Sequence, residues 1–179
     1  MALINYESAT IMNFKKATQT ILLLILPYWL FGAHIIGGEI TYTCQGGGDY
    51  DFVFNMYRDC SNPNAGFFDQ EAIIGVYRGI GDDAELVDVF TTELLDVDNL
   101  LPTQSDPCAI PPPGFCTQVG TYNFSYTIDD WPSDEPYTFV YQRCCRNNTI
   151  SNIVSPEDTG ISFSTEISSA SQDVCNSSP

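Results

Sequence analysis

Apolar and polar side chains alternate with a period of two through most of the chain after residue 37, and this alternation constrains the fold strongly. Along residues 120–128, Tyr122, Phe124 and Tyr126 share one face, with short polar side chains between them. Successive side chains of a β-strand point to opposite faces, so this period indicates strands with one buried face. No stretch of the region holds a convincing helical stripe. The sequence therefore predicts an all-β domain.

The alternating segments are separated by turns rich in Gly, Pro, Asn and Asp. Three successive glycines in residues 45–49 favour a hairpin between the two flanking strands. Residues 94–100 fit either a strand or a helical turn, and the proline-rich residues 109–114 are predicted to be a loop. Short strands in this arrangement are typical of an antiparallel, immunoglobulin-like β-sandwich. The predicted strands are residues 38–44, 50–58, 72–77, 86–90, 120–128, 137–146 and 161–167.

The N-terminal segment has the composition of an export signal. Two lysines at 15–16 precede an apolar run at 21–26, and two small residues at 32–33 come before a polar start. These are the three parts of a secretory signal peptide. The apolar run is too short to cross a bilayer of about 30 Å. The sequence therefore predicts a cleaved leader and a mature chain with no transmembrane span.

These features predict the domain organisation. Residues 1–33 form the signal peptide, with Met12 as an alternative start. Residues 34–170 form the β-sandwich domain. Residues 171–179 are expected to begin a linker to a further C-terminal region.

All seven cysteines follow the predicted leader, and in an exported domain they indicate a disulfide framework. The odd number leaves one cysteine without a partner inside this sequence. Cys44 opens the first hairpin, and Cys175 follows the last strand at what should be the end of the sandwich opposite to Cys60. The candidates are Cys44, Cys60, Cys108, Cys116, Cys144, Cys145 and Cys175.

Strand directions narrow the remaining pairings without fixing them. Cys108 and Cys116 bracket the proline-rich loop and could close it locally. If the strands run as in immunoglobulin sandwiches, Cys60 would bridge to Cys144 or Cys145. A zinc site at the adjacent cysteines would need Cys-x-x-Cys spacing and reduced thiols, so it is not favoured. A vicinal disulfide between them is the other alternative to structural bridging.

The chain is strongly acidic, with 23 Asp and Glu against 6 Lys and Arg and a formal charge of −17. Such a surface repels nucleic acid and anionic membranes, so neither is an expected partner. It suits divalent cations, a basic partner or solubility alone. Calcium ligands could come from the acidic residues in 82–85, 96–99 and 129–135, although none completes an EF-hand loop. Solvated acidic turns are the alternative.

Few residues suit catalysis. The only histidine, His34, lies at the predicted new N-terminus, so a Ser-His or Cys-His pair is not expected. The sequence therefore predicts no catalytic residues and no enzyme. Trp131 lies in a predicted turn, where an exposed indole would stack on a sugar ring and a buried one would fold over the end of the sandwich.

One strand has a recognisable local pattern. Residues 119–126 (VGTYNFSY) resemble the late strand of immunoglobulin-like and polycystic-kidney-disease-type domains. In those domains a Gly-x-Tyr entry places a tyrosine at the corner of the sandwich. The resemblance implies such a position for Tyr122.

A broader resemblance covers nearly all of residues 34–179. Its most specific segment is 140–150 (VYQRCCRNNTI), which contains the double cysteine. The other matching segments are residues 33–44 (AHIIGGEITYTC), 56–60 (MYRDC), 76–77 (VY), 107–108 (PC), 112–116 (PPGFC) and 175–179 (CNSSP). Together they resemble the N-terminal part of large secreted surface proteins of the Bacteroidetes. Those proteins typically end in the gliding-motility-associated C-terminal sorting domain used by type IX secretion.

This resemblance implies a secreted or outer cell-surface protein in which the β-domain comes first and immunoglobulin-like repeats follow. It implies adhesion or another gliding-motility-associated function without catalysis. The alternative is a carbohydrate-binding, lectin-like module with calcium as a candidate ligand. The expected partners are an extracellular glycan or protein ligand and the further domains of the same polypeptide.

Overall fold

Seven β-strands and one short helix make up the regular α and β structure of the described residues. The computed structural model describes residues 35–61, 66–100, 114–144, 146 and 150–179. The elements are β1 (Ile35–Gly46), β2 (Asp49–Asp59), β3 (Glu71–Arg78), β4 (Glu85–Leu100), β5 (Thr117–Thr127), β6 (Tyr137–Arg143), β7 (Ile161–Ile167) and the helix α1 (Ser169–Asp173). The all-β prediction is confirmed. The predicted leader and His34 lie outside the described residues.

The strands form two layers that share β4, and every pairing is antiparallel. One layer has the order β1-β2-β5-β4 and the other the order β4-β3-β6-β7. Immunoglobulin domains place their first, second, fifth and fourth strands in one sheet and the third, sixth and seventh in the other. The strand order therefore confirms the immunoglobulin-like sandwich.

β4 belongs to both layers because it changes partner along its length. Residues 85–93 pair with β3, and residues 94–100 pair with β5. The register skips Val87 in the first pairing and Leu95 in the second, so each is the extra residue of a bulge. Bulges bend a strand and increase its twist, which lets β4 cross between the layers. The segment that fitted either a strand or a helical turn is thus the second half of one strand of 16 residues.

Aromatic rings from the two layers meet in the core. The ring centroid of Phe52 in β2 lies 4.3 Å from that of Phe139 in β6. Phe54 in β2 lies 4.9 Å from Tyr141 in β6. All four side chains are buried, and burial of each Phe stabilises the fold by about 1.5–3 kcal/mol. Phe52, Phe54 and Met56 alternate along the predicted strand at residues 50–58, and all three are buried in the core.

The disulfide between Cys60 and Cys116 lies within one layer. Cys60 follows β2 and Cys116 precedes β5, and Asp59 and Thr117 are register partners at the ends of these strands. The next pair outward along the two strands is therefore the two cysteines. The Cys60 N–H also donates to the Cys116 carbonyl at 3.0 Å. This bridge fixes the end of the sandwich opposite to the β1–β2 turn.

The Cys60–Cys116 bridge shows that two predicted pairings are wrong. Cys116 is bonded to Cys60, so it does not close the proline-rich loop with Cys108, and Cys60 does not bridge to Cys144 or Cys145. The analogy with immunoglobulin domains put this bridge between the layers, whereas the neighbouring ends of β2 and β5 bring two cysteines together within one. Cys144 is itself disulfide-bonded. Cys108 and Cys145 lie outside the described residues.

The second disulfide, Cys44–Cys175, attaches the C-terminal tail to β1 at the other end of the sandwich. Beside it, the Ser178 N–H donates to the Tyr42 carbonyl at 2.9 Å, and the Tyr42 N–H donates to Ser178 Oγ at 2.8 Å. The tail therefore occupies part of the open edge of β1, which would otherwise be free to pair with another chain. Residues 171–179, which the sequence assigned to the start of a linker, include this bound tail.

Candidate functional site

Trp131 lies at the end of the sandwich that also carries the β1–β2 turn. Its indole N–H donates to Tyr50 Oη at 3.2 Å, and its ring packs against the core. Gly48 has a φ of +94°, and a Cβ there would lie 2.9 Å from Trp131 Cβ and 2.6 Å from the Ile128 carbonyl oxygen. Only glycine suits this position. Of the two interpretations of Trp131, this geometry is that of a partly buried indole folded over the sandwich end.

An acidic loop beside Trp131 is already occupied by an arginine. Arg78 Nε lies 2.8 Å from Glu135, and its Nη1 lies 3.4 Å from Asp130. Asp130 also accepts a hydrogen bond of 2.6 Å from Tyr137 Oη. Burial and this hydrogen bond raise the pKa of Tyr137 to about 12. The guanidinium thus holds the place that a cation would take between these two carboxylates.

The other acidic clusters are solvent-facing. Asp82 and Asp83 lie in an exposed 3-10 turn, and Asp96 accepts from the N–H of Val97 at 2.8 Å. Within the described parts of the chain, no group of three or more His, Cys, Asp or Glu side chains is arranged to hold a metal ion. Calcium binding stays a prediction, and no set of ligands among these described residues supports it.

A network around Asp69 holds the chain where it enters β3, and the sequence did not predict it. Tyr141 Oη donates to Asp69 Oδ2 at 2.5 Å, and Arg143 Nη1 lies 3.3 Å from Oδ1. Tyr122 Oη donates to the Asp69 carbonyl at 2.7 Å. Burial raises the pKa of both tyrosines, and for Tyr141 the bond to Asp69 raises it further. The sequence gives one signal for this network: Tyr122 and Tyr141 are tyrosines at inward strand positions, where phenylalanine would fill the same space without a hydroxyl.

Tyr122 also corrects the resemblance-based expectation. It lies in the middle of β5, the fifth strand, with its side chain fully buried. Its hydroxyl bonds to a residue 53 positions earlier in the chain. A corner tyrosine instead starts the sixth strand and bonds a few residues upstream. Tyr122 therefore links β5 to the loop before β3 and does not form a corner.

A groove of about 460 Å³ lies where β6 ends and β7 begins. Its lining residues are Gln142, Arg143, Cys144, Gly160, Ile161 and Ser162. Arg143 is paired with Asp69, and Cys144 is disulfide-bonded. A disulfide sulfur is not a thiolate, so Cys144 gives this groove no nucleophile.

The outer face of β3, β4 and β6 carries exposed apolar side chains. Ile73 is 59% exposed, Leu86 50% and Val89 52%. A shallow groove of about 250 Å³ runs along this face, lined by Ile73, Gly75, Tyr77, Leu86, Val89, Val140 and Gln142. We call these residues the apolar face. The sequence signals this face at residues 72–74, where three apolar residues follow one another. In a strand the middle one, Ile73, must point away from the core.

Comparison with protein-family models, with curated proteins and with solved structures finds no match to this chain. Among the described residues, no helix has the length and apolar character needed to cross a membrane. The disulfides indicate folding in an oxidising environment, as found outside the cytosol.

Proposed function

We propose that this chain is a non-catalytic, extracellular β-sandwich module of an adhesin-like surface protein. The observation that carries the proposal is the disulfide-stapled immunoglobulin-type framework, with one bridge near each end. Disulfides form and persist in secreted and cell-surface proteins, and small exported domains use them to supplement a limited core. The predicted leader at residues 1–33 supports the same location.

The proposed protein class comes from the sequence resemblance. Residues 140–150 and 56–60 are similar to segments of Bacteroidetes surface proteins that are gliding-motility-associated and exported by type IX secretion. In this proposal the module stands at the N-terminus, and further immunoglobulin-like domains of the same polypeptide follow it. Its ligand is an extracellular protein or glycan.

The use of polar side chains supports a binding role over catalysis. Asp69 and Arg143 are paired with each other, and Arg78 is paired with Asp130 and Glu135. These groups hold loops and strand ends in place, whereas a general acid or base must reach a substrate. The apolar face, by contrast, has its side chains turned to solvent.

Protease treatment of intact producing cells tests the proposed location. A surface module is expected to be cleaved from intact cells and detected by antibody without permeabilisation. Deletion of the gene should reduce attachment or gliding, and restoring it should recover both. Protection of the protein until the cells are lysed would refute the proposal.

A glycan array, with calcium and again with chelator, separates the two ligand classes. Saturable binding to one sugar class would assign the module to carbohydrate recognition, and loss in chelator would add a metal site. A Trp131→Phe variant keeps an aromatic ring but removes the bond to Tyr50. Binding that is lost in this variant would identify the Trp131 end as the site. A blank array under both conditions favours a protein ligand.

A further inference from the structure

We propose that the apolar face binds a partner protein segment that is apolar at its centre and carries lysine or arginine at its margin. The inference deepens the binding role proposed above and rests on it. Three features of the face support it: its exposed apolar side chains, an unneutralised pair of glutamates at one end, and a glycine that leaves its groove open.

The two outer faces of the sandwich differ in chemistry. On the β1-β2-β5 layer, polar side chains bond across strands, as Tyr57 Oη does to Glu39 at 2.7 Å and Ser125 Oγ to Asp51 at 2.6 Å. This is the usual solvated face of an antiparallel sheet. The opposite outer face presents Ile73 and its apolar neighbours instead. Neighbouring exposed apolar side chains on one face are the kind of surface through which proteins bind partners.

A pair of acids lies at one end of the apolar face. Glu71 in β3 and Glu93 in β4 are direct register partners, and both are exposed. Glu71 precedes the inward Ala72, and Glu93 follows the inward Thr92. Both glutamates therefore lie on the same outer face as Ile73. Glu71 is two residues from Ile73, a distance of about 7 Å along the strand. Like charges directly opposite each other destabilise a sheet. A cation from a partner would remove this repulsion.

The cations of the described chain are all engaged elsewhere. Two arginines form ion pairs: Arg78 with Asp130 and Glu135, and Arg143 with Asp69. The other two donate hydrogen bonds. Arg58 donates to the Gly66 carbonyl and Gln118, and Arg146 donates to the Gly160 carbonyl. The two lysines, Lys15 and Lys16, fall in the predicted leader. A second copy would bring a second acid pair and a further net charge of −17. Charge complementarity therefore favours a basic partner over self-association.

Gly75 forms the floor of the groove. It is the register partner of both Val89 and Val140. A Cβ at this position would lie 3.2 Å from Tyr77 Cε2 and 3.6 Å from Leu86 Cδ1, so a side chain here would occupy the groove. Glycine in a strand interior often marks a place where another chain approaches closely. The face thus has room for a partner side chain at its centre.

Short synthetic peptides test this chemistry on the full-length protein. We expect a peptide of alternating valine and lysine to bind saturably, and matched valine–glutamate and serine–lysine peptides to bind at least about tenfold more weakly. Fluorescence anisotropy gives the affinities, and NMR chemical shifts should move along β3, β4 and β6. Binding should weaken as salt rises, because the contribution of exposed charges is screened.

Three variants and a matched control separate the contributions. Ile73→Glu adds attraction for lysine yet should weaken binding about tenfold, because it removes an apolar contact at the centre. Gly75→Ala should weaken binding by filling the groove, and its melting temperature separates this effect from a loss of folded protein. Glu93→Gln should weaken binding and flatten the salt dependence. Val53→Glu makes the same charge change on the other outer face, where Val53 is 38% exposed, and should leave binding unchanged.

Several results would overturn the inference. Equal binding of the valine–lysine and valine–glutamate peptides would exclude a basic partner. Equal loss in Ile73→Glu and Val53→Glu would show that the effect is not specific to the face. A dimer in sedimentation that Ile73→Glu dissociates would assign the face to a second copy. Failure of the peptides with surface exposure and adhesion intact would refute this inference and leave the proposed function standing.

Discussion

Removal of the Cys44–Cys175 disulfide should destabilise the protein strongly, because this bridge joins residues 131 positions apart. A cross-link stabilises by restricting the unfolded chain, and the loop-entropy relation gives about 5 kcal/mol for a loop of this length. The same relation gives about 4 kcal/mol for Cys60–Cys116, with a separation of 56. Since domains are stable by only about 5–15 kcal/mol, loss of both bridges should leave little folded protein.

The native state adds to the effect of Cys44–Cys175. The bridge holds the tail where the Cys44 N–H donates to Ser177 Oγ at 3.1 Å and Ser178 bonds to Tyr42. Each such bond contributes about 1 kcal/mol when formed. Without the covalent link the tail must be ordered at an entropic cost, so these bonds weaken together. The amide of Tyr42 should then exchange with solvent faster than in the native protein.

Paired alanine substitutions measure these contributions without leaving single thiols. Urea denaturation followed by circular dichroism should show Cys44→Ala with Cys175→Ala losing slightly more stability than Cys60→Ala with Cys116→Ala. Hydrogen exchange should report the exposed β1 edge in the first double variant alone. A loss below about 1 kcal/mol in the first variant, or no change in melting temperature when the native protein is reduced with dithiothreitol, would refute the reasoning.

Three further predictions follow from burial, titration and edge protection. Phe139→Ala should lower the free energy of unfolding by about 3–5 kcal/mol, because it leaves a cavity in the core. Ile80→Ala is the control: its side chain is 77% exposed, so the change should be less than about 0.5 kcal/mol. Urea titrations measure both values. The pKa of Tyr137 is raised to about 12 from about 10 in the unfolded chain, so its contribution is complete below pH 10 and is lost as pH rises towards 12. The melting temperature should therefore fall less steeply between pH 10 and pH 12 in Tyr137→Phe than in the native protein. Asp96→Val should increase light scattering on storage, because it frees an edge N–H of β4, while Asp82→Val in an exposed turn should not.

β2 and β5 were predictable because inward apolar residues alternate with outward polar ones along each of them. The alternation along residues 50–58 and 120–128 matches β2 and β5, whose inward aromatic side chains form much of the core. The three glycines before residue 49 correctly indicated a hairpin, since all three have positive φ. Local pattern and tertiary packing agree at these positions, so the sequence alone was sufficient.

Features that depend on strand neighbours were not predictable in this way. The Cys60–Cys116 pairing follows from the order β2-β5 within one layer, and no local pattern reports that order. The continuity of β4 depends on bulges at Val87 and Leu95, which become visible only when both partner strands are placed. The Asp69 network likewise joins a loop to two distant strands. In each case the determining contact is long-range.

The two bulges of β4 also explain why the apolar face favours docking of side chains over addition of a strand. Beside them, Asp88 and Asp96 accept hydrogen bonds of 2.8 Å from the N–H groups of Val89 and Val97. An added strand would need such edge donors, and bulges with charged side chains are a known protection against it. The apolar side chains of β4 and β3 on the outer face stay accessible. The strand therefore protects its backbone while presenting its side chains, which is the arrangement expected of a surface that recognises a partner through its face.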